Sequence, residues 1–339
     1  MSTPSEPEPQ ITYSRPATIA AITSYYDFLT TLYLPSSLIF HPPPTGWPCI
    51  VNADPDRLKS LGKSDEVLSL LAHLPYIDDR KYHDAEAGPD YHFADWSALI
   101  SRLTDDRPGC FKTAGEDLRA ITEGPEFAAF ASPHAFGLTC GGREEPVIII
   151  DTQFGVVHWE DYSCHVAGEA HGKMEVDYEE LVEIPQYETG SEEEEGEEQG
   201  ASEGNSDAIK EDGHENDDDE EEDEEEPWPR RDDVMSLREK EWRQNAHTWT
   251  IPDFFEVLKY MFTELKWLPM SPYCVWSGKE SLRAMGMRAM TQDIYRQYGW
   301  PDLAAYRKKE CLEAVRKAME ERYPESCMCP RWHWDHDTD

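Results

Sequence analysis

The residues whose types and spacing come closest to a metal site lie near the C-terminus. They are two cysteines and two histidines: Cys327, Cys329, His333 and His336. Two thiolates and two imidazoles form the donor set of a structural zinc site. Only three residues separate the cysteine pair from the histidine pair. This spacing is much tighter than in zinc fingers and leaves no subdomain to fold around the ion, so we expect a C-terminal tail without zinc.

A thiol also lies next to an imidazole at Cys164 and His165, and a second imidazole follows at His171. A thiolate nucleophile needs a neighbouring base, so these residues are candidates for a catalytic pair. Adjacent residues on an extended strand point to opposite faces, however, which would separate Cys164 from His165. We therefore assign them no catalytic role, and we expect His158 to be a cross-strand or edge residue rather than a ligand.

No signature of phosphate binding or acyl transfer stands in a suitable structural context. The glycines after Cys140 lack the spacing of a phosphate-binding loop, and no Lys-Ser or Lys-Thr follows them. A G-x-S-x-G string occurs at residues 200–204, but it lies within an acidic stretch and not between a predicted strand and helix, and there is no H-E-x-x-H. We therefore expect neither a catalytic residue nor a cofactor. An enzyme remains an alternative only if its site is assembled in three dimensions.

Basic residues cluster in one predicted helix near the C-terminus, at Arg307, Lys308, Lys309, Arg316 and Lys317. Glu310 and Glu313 lie among them. Interspersed acids are typical of a solvated face of mixed charge, so we do not predict an anion site there.

The chain of 339 residues is strongly acidic, with 70 Asp and Glu against 31 Lys and Arg and a net charge of −39. The charge is −19 over residues 1–190, −20 over residues 191–226 and zero over residues 227–339. Such a charge disfavours nucleic-acid binding, and any partner attracted by it is basic. Apolar residues at 39% are nevertheless too numerous for a wholly disordered chain.

The N-terminus has no basic segment followed by an apolar run, and the longest aliphatic stretch, residues 147–150, is far too short to span a membrane. These features predict a soluble protein of the cytoplasm or nucleus that has no membrane partner. The eight cysteines are scattered along a long chain, as is typical of reduced thiols rather than of a disulfide framework.

Four helices are predicted from apolar spacing. One covers residues 18–32, with Ser14 as its cap and Pro16 in its first turn. A second begins at Ser64, buries Leu71 and ends before Pro75. The third helix begins at Pro252 and ends near Pro269. The fourth begins at Pro301 and contains a favourable pair of side chains, Glu313 and Lys317.

The strand signals lie between these helices. Residues 146–151 and 154–159 are β-branched runs separated by a short turn, which predicts a β-hairpin. Residues 135–140 form a neighbouring strand. Helices combined with these strands indicate an α+β fold with a small, mostly antiparallel sheet and packed helices. A disordered acidic insertion interrupts that fold, and a helical region follows it.

The predicted organisation has five parts. Residues 1–12 are a disordered N-terminus, residues 13–185 an α+β region and residues 186–230 the insertion, which is too poor in apolar residues to fold. Residues 231–326 are a Trp-rich helical region packed on the first, because its apolar faces need a partner surface. Residues 327–339 are a tail.

Four segments of the sequence carry a resemblance: Trp47-Pro48, residues 61–77 (LGKSDEVLSLLAHLPYI), residues 150–157 (IDTQFGVV) and residues 299–302 (GWPD). They resemble a family of uncharacterised proteins from filamentous fungi over most of residues 17–325. The predicted hairpin, with Asp151 and Gly155, resembles part of the SMI1/KNR4-type (SUKH) fold, an α+β interaction module. This resemblance implies a non-enzymatic binding scaffold and supplies no catalytic residues.

We therefore predict an intracellular protein-interaction or scaffold module with a protein partner and no cofactor. A second hypothesis makes the acidic tract the active part, as in a histone-chaperone-like binder of basic proteins. The third hypothesis is an enzyme whose site the sequence does not reveal. The pathway, the partner and the oligomeric state are not determined by the sequence.

Overall fold

The computed structural model describes residues 11–78, 85–103, 114–140, 146–160, 237–277 and 285–324. All of them belong to one compact unit, which takes in residues 1–182 and 235–339. The described helices are α1 (Arg15–Leu32), α2 (Pro48–Val51), α3 (Pro55–Lys59), α4 (Asp65–His73), α5 (Trp96–Leu103), α6 (Gly115–Glu123), α7 (Pro125–Ala128), α8 (Leu237–Asn245), α9 (Ile251–Thr263), α10 (Met287–Gln297) and α11 (Lys308–Arg322). The described strands are β1 (Ile39–Phe40), β2 (Tyr76–Ile77), β3 (Ala135–Gly137), β4 (Val147–Asp151), β5 (Val156–Glu160), β6 (His247–Thr250), β7 (Leu268–Pro269) and β8 (Val275–Trp276).

Helix α1 forms where the apolar spacing predicts it. Ser14 caps the helix, because its Oγ accepts a hydrogen bond from the Ala17 N–H at 3.4 Å. The buried residues follow a helical period: Thr18, Ile22, Tyr25, Tyr26, Leu29 and Leu32. This face packs on α9, where the rings of Tyr25 and Phe255 lie 5.6 Å apart. The opposite face of α1 is left for solvent.

Helix α4 also agrees with its prediction. Ser64 Oγ accepts from the Val67 N–H at 3.3 Å, and the helix ends at His73, before Pro75. Leu71 is 0% exposed, as expected for the apolar face.

The main sheet has four antiparallel strands in the order β3-β4-β5-β6. The predicted hairpin is its centre, with Ile149 opposite His158. Both faces of the sheet are covered: Ile148 and Ile150 lie in the large core with α1 and α9, while Ile149 packs with Phe127 and Phe130 in a second, smaller core. The fold class is α+β, as predicted.

The region after the acidic tract contributes more than helices. Its residues 247–250 form β6, which pairs with β5 and places Trp249 opposite Val157. This strand was not predicted, because four residues carry too little alternation to be recognised. Helix α9 was predicted to reach Pro269, but it ends at Thr263, where Leu265 adopts a φ of +54°. Pro269 instead pairs with Val275 in a small hairpin.

The helix predicted to begin at Pro301 begins at Lys308, and that prediction was wrong by two turns. Residues 301–307 instead form turns that reverse the chain. The reversal brings Tyr306 Oη to within 2.9 Å of the Leu32 carbonyl oxygen and Lys308 Nζ to within 2.7 Å of the Thr30 oxygen. Both side chains bind the carbonyl end of α1, so contacts distant in sequence decide where the helix starts.

The solvated face of mixed charge that was predicted around Lys308 differs from the structure in two ways. Lys308 is half-buried and donates to two carbonyl groups, so it is not a solvated surface residue. Glu313 pairs with Arg316 at 2.5 Å rather than with Lys317, which lies 4.0 Å from Glu321. Of the N-terminus predicted to be disordered, residues 1–12, the structure describes only residues 11 and 12. The predicted insertion at residues 186–230 and the tail at residues 327–339 lie outside the described residues.

Candidate functional site

Both candidate sites of the sequence analysis lie outside the described residues: Cys327, Cys329, His333 and His336 in the tail, and Cys164, His165 and His171 before the acidic tract. Within the described ranges, no group of three or more His, Cys, Asp or Glu side chains is arranged to hold a metal ion. Among the described residues, the cysteines at 49, 140, 274 and 311 form no disulfide bond. A site in the described part of the chain must therefore use other groups.

One cluster of ionisable side chains is buried between the main sheet and α8. Arg243 Nη1 donates to the carboxylate of Asp151 at the end of β4. Its Nη2 donates to Glu239 Oε1 at 2.7 Å, and its Nη1 lies 2.8 Å from Nε2 of His158 on β5. Arg243, Asp151 and His158 are 0% exposed, and Glu239 is 5% exposed. We call these four residues the Arg243 cluster.

The neighbours of His158 determine its protonation. A guanidinium group only donates, so Nε2 of His158 accepts from Arg243 and carries no proton. The ring proton is then on Nδ1, which donates to Oγ1 of Thr248 on β6 at 3.0 Å. Burial, followed by the charge of Arg243, holds the pKa of His158 well below its ordinary value of 6.5. His158 is thus a neutral cross-strand residue, as the sequence analysis expected.

The Arg243 cluster is a structural feature rather than a reaction centre. All four side chains are buried, so a substrate has no access to them. Asp151 also stabilises the turn after β4, because its Oδ1 accepts hydrogen bonds from the Gln153 N–H at 2.7 Å and the Phe154 N–H at 3.1 Å. The cluster connects β4 and β5, which precede residues 161–236 in the sequence, to α8, which follows those residues.

An open groove of about 980 Å³ lies along the outer face of α1. We call it the α1 groove. One stripe of α1 lines it at helical spacing: Pro16, Ile19, Ala20, Thr23, Ser24 and Asp27. Tyr13 and Arg15 close one end, and Glu66 and His73 of α4 form the side. Four members of the stripe are exposed, Pro16, Ala20, Ser24 and Asp27, whereas Ile19 is partly buried against the large core.

The polar groups at the α4 side of the groove bind one another. Glu66 Oε1 accepts from the hydroxyl of Tyr13 at 3.0 Å and lies 3.1 Å from Nε of Arg15. Arg15 Nη1 also donates to Ser69 Oγ, and His73 Nδ1 donates to the Ser69 carbonyl oxygen at 2.7 Å. Burial and the hydrogen bond to Glu66 raise the pKa of Tyr13 above its ordinary value of 10.0, so the phenol keeps its proton.

A serine and a lysine meet at the other side of the groove. Lys259 Nζ on α9 donates to Ser24 Oγ at 2.8 Å. The same nitrogen forms an ion pair with Glu256 Oε1 at 2.8 Å. A lysine that donates to a hydroxyl from within an ion pair is not positioned to take the proton of that hydroxyl, as a serine nucleophile would require. The contact therefore favours a structural role for Ser24.

Asp27 differs from the other charged residues of the groove. It is exposed at the C-terminal end of the stripe, and its carboxylate has no ion-pair or hydrogen-bond partner among the described residues. Glu66, in contrast, is paired with Arg15. The stripe is therefore apolar in its first half, at Pro16, Ile19 and Ala20, and polar in its second half, where it ends on one uncompensated negative charge.

No family model, curated protein or solved structure matches the chain. The resemblance to fungal proteins and to SUKH domains is therefore neither supported nor contradicted, and it stays a prediction. In the described ranges, every helix is too short or too polar to cross a membrane.

Neither the groove nor the Arg243 cluster was predicted from the sequence. Ile19 contacts the large core and also lines the groove, so the apolar spacing of α1 carries no separate signal for the groove. The cluster has no sequence signal, because Asp151 and Arg243 are 92 residues apart and α8 is a short polar helix.

Proposed function

We propose that the protein is a non-enzymatic protein-interaction module and that the α1 groove binds a segment of a partner protein. The observation that carries this proposal is the composition of the groove, in which the apolar side chains of Pro16, Ile19 and Ala20 lie beside polar and charged groups of α1 and α4. Protein interfaces combine an apolar centre with a polar rim in the same manner. The resemblance to SUKH modules implies the same class of function.

The polar groups of the groove favour binding over catalysis. The raised pKa of Tyr13 makes its hydroxyl a poor acid, and Lys259 donates to Ser24 while it is paired with Glu256. General acid–base catalysis needs a group that exchanges protons near the working pH and reaches the substrate. The network around Glu66 instead provides a rigid, preorganised rim.

The acidic tract supports a second candidate function. Residues 191–226 contain 21 acidic residues and one lysine. A polyanion of this density attracts basic proteins through charge alone, as a histone-chaperone-like binder does. In that function the tract would make the contact, and the groove would remain empty.

Site-specific photocrosslinking in the full-length protein distinguishes the two functions. A benzophenone amino acid replaces Ala20 in the groove, Ala208 in the tract, or Asp293, which is exposed on α10 and outside the groove. Each form is irradiated in an extract of the source organism. Mass spectrometry then identifies the partner peptide that is joined to each position.

We expect position 20 to give an adduct with one defined segment of one protein, and position 293 to give none. A synthetic peptide of that segment should suppress the adduct. Equal adducts at positions 20 and 293 would reject the groove as the binding site. Adducts confined to position 208, with several basic proteins, would establish the chaperone-like function instead.

A further inference from the structure

We propose that the occupant of the α1 groove is a basic amphipathic helix of the partner protein, anchored by a lysine or arginine at Asp27. This inference rests on the proposed function and specifies the chemistry of the partner. It is drawn from the shape of the groove, its backbone and its charge.

The length of the groove suits a short helix. The stripe runs from Pro16 to Asp27, and a helix rises about 1.5 Å per residue, so the stripe is about 16 Å long. A partner helix of about eleven residues covers this length. Apolar side chains three or four residues apart would lie on Ile19 and Ala20, as in other helix-in-groove complexes.

The walls of the groove explain why the occupant is helical rather than extended. The stripe belongs to α1, and Glu66 and His73 belong to α4, so the backbone groups of both walls are bonded within their own helices. An extended peptide bound there would find no ladder for its own backbone donors and acceptors. A helix satisfies these groups internally and needs only side-chain contacts.

The charge of the groove selects a basic helix. Arg15 compensates Glu66, whereas the exposed carboxylate of Asp27 has no partner among the described residues. A cationic side chain at one end of the partner helix would pair with Asp27 while the apolar residues cover the stripe. The net charge of −39 also steers basic segments towards the protein.

The same charge argument disfavours two other occupants. Residues 1–10 carry Glu6 and Glu8 and no lysine or arginine, so they bring no cation to Asp27. A second copy of the chain has the same large negative charge and is repelled at low salt. Both occupants remain as outcomes that the experiment can detect.

The test measures the binding of labelled peptides to the full-length protein by fluorescence anisotropy. The probe is a fifteen-residue helix of leucine, alanine and lysine with leucines at helical spacing. One matched peptide has glutamate in place of lysine, and another has the same composition in scrambled order. The protein variants are Asp27→Lys, Ala20→Gln and the control Asp293→Lys, which makes the same charge change outside the groove.

We expect the amphipathic basic peptide to bind at least about tenfold more tightly than either matched peptide. Asp27→Lys should weaken binding at least about fivefold, because it removes one attraction and adds one repulsion. Ala20→Gln should weaken binding severalfold by placing a polar side chain in the stripe, whereas Asp293→Lys should change it less than about twofold. Circular dichroism checks that each variant is folded.

Four results would overturn the inference. Equal binding by parent and Asp27→Lys would place the peptide on the acidic tract or elsewhere. Competition by a synthetic peptide of residues 1–10 would assign the groove to the N-terminus of the chain. A dimer that dissociates when peptide is added would assign it to a second copy. An adduct at position 20 with a partner that is not a basic helix would reject this inference and leave the proposed function intact.

Discussion

Arg243 donates a hydrogen bond through Nη1 to the carboxylate of Asp151, a residue 92 positions earlier in the chain, and both side chains are fully buried. Asp151 ends β4, Arg243 lies on α8, and residues 161–236 separate the two elements in sequence. A buried ion pair is most sensitive to the loss of one partner, because the other charge is then left uncompensated. This contact therefore holds the two flanks of the insertion together.

Replacing Arg243 should destabilise the protein strongly. We expect Arg243→Met to lower the free energy of unfolding by about 3–5 kcal/mol, since Asp151 and Glu239 would remain buried and charged without it. The measurement is urea denaturation monitored by tryptophan fluorescence. Arg316→Met is the matched control, because Arg316 pairs with Glu313 and Glu320 at the surface and should cost about 1 kcal/mol or less. Equal losses in the two variants would show that the cluster is not buried.

Stability should fall in mild acid because of His158. Its pKa is lowered in the folded protein, while the unfolded chain has the ordinary value of 6.5. Below that pH the unfolded state binds a proton that the native state excludes, so stability decreases as the pH falls towards the lowered pKa. Between about pH 7.5 and about pH 5.5, the loss of stability from this one residue should be on the order of 1 kcal/mol.

The pH effect is measured by urea denaturation of the parent and of His158→Gln at both pH values. Glutamine is neutral and retains an acceptor for Arg243, so the variant should lose less stability on acidification than the parent. The other titrating groups contribute equally to both proteins and cancel in the comparison. Identical losses in parent and variant would show that His158 is not the group responsible.

Cleavage of the acidic tract should leave the two flanking regions associated. Residues 247–250 pair with β5 in the main sheet, and Tyr25 packs on Phe255, so the core is built from both sides of the insertion. A site-specific protease sequence replaces residues 201–206, and the cleaved protein is analysed by gel filtration without denaturant. The two fragments should elute together, and adding Arg243→Met should weaken their association. Separate elution of the parent fragments would contradict a single core.

The C-terminal cysteines and histidines lie outside the described residues, and the absence of zinc there stays a prediction. Protein purified without chelator should contain well under one equivalent of zinc. The double variant Cys327→Ser, Cys329→Ser should have an unchanged melting temperature, because a structural zinc site contributes directly to folding. Stoichiometric zinc that is lost in the double variant would reverse this prediction.

Local patterns in the sequence determined those parts of the fold that depend on neighbouring residues. The cap at Ser14, the apolar period of α1 and the cap at Ser64 specify two helices, because helix formation is governed by contacts within a few turns. The isoleucines at 148–150 likewise specify β4 and the hairpin, since a run of β-branched residues favours a buried strand. Together these elements were sufficient to predict the α+β class.

Only the tertiary structure decided the features that join distant parts of the chain. Strand β6 exists because β5 offers it an edge, and α11 starts at Lys308 because that side chain binds the carbonyl end of α1. Asp27 is the uncompensated charge of the groove because the other carboxylate there, Glu66, pairs with Arg15. Such pairings depend on which surfaces meet after the backbone has folded, and the order of residues along the chain contains no local signal for them.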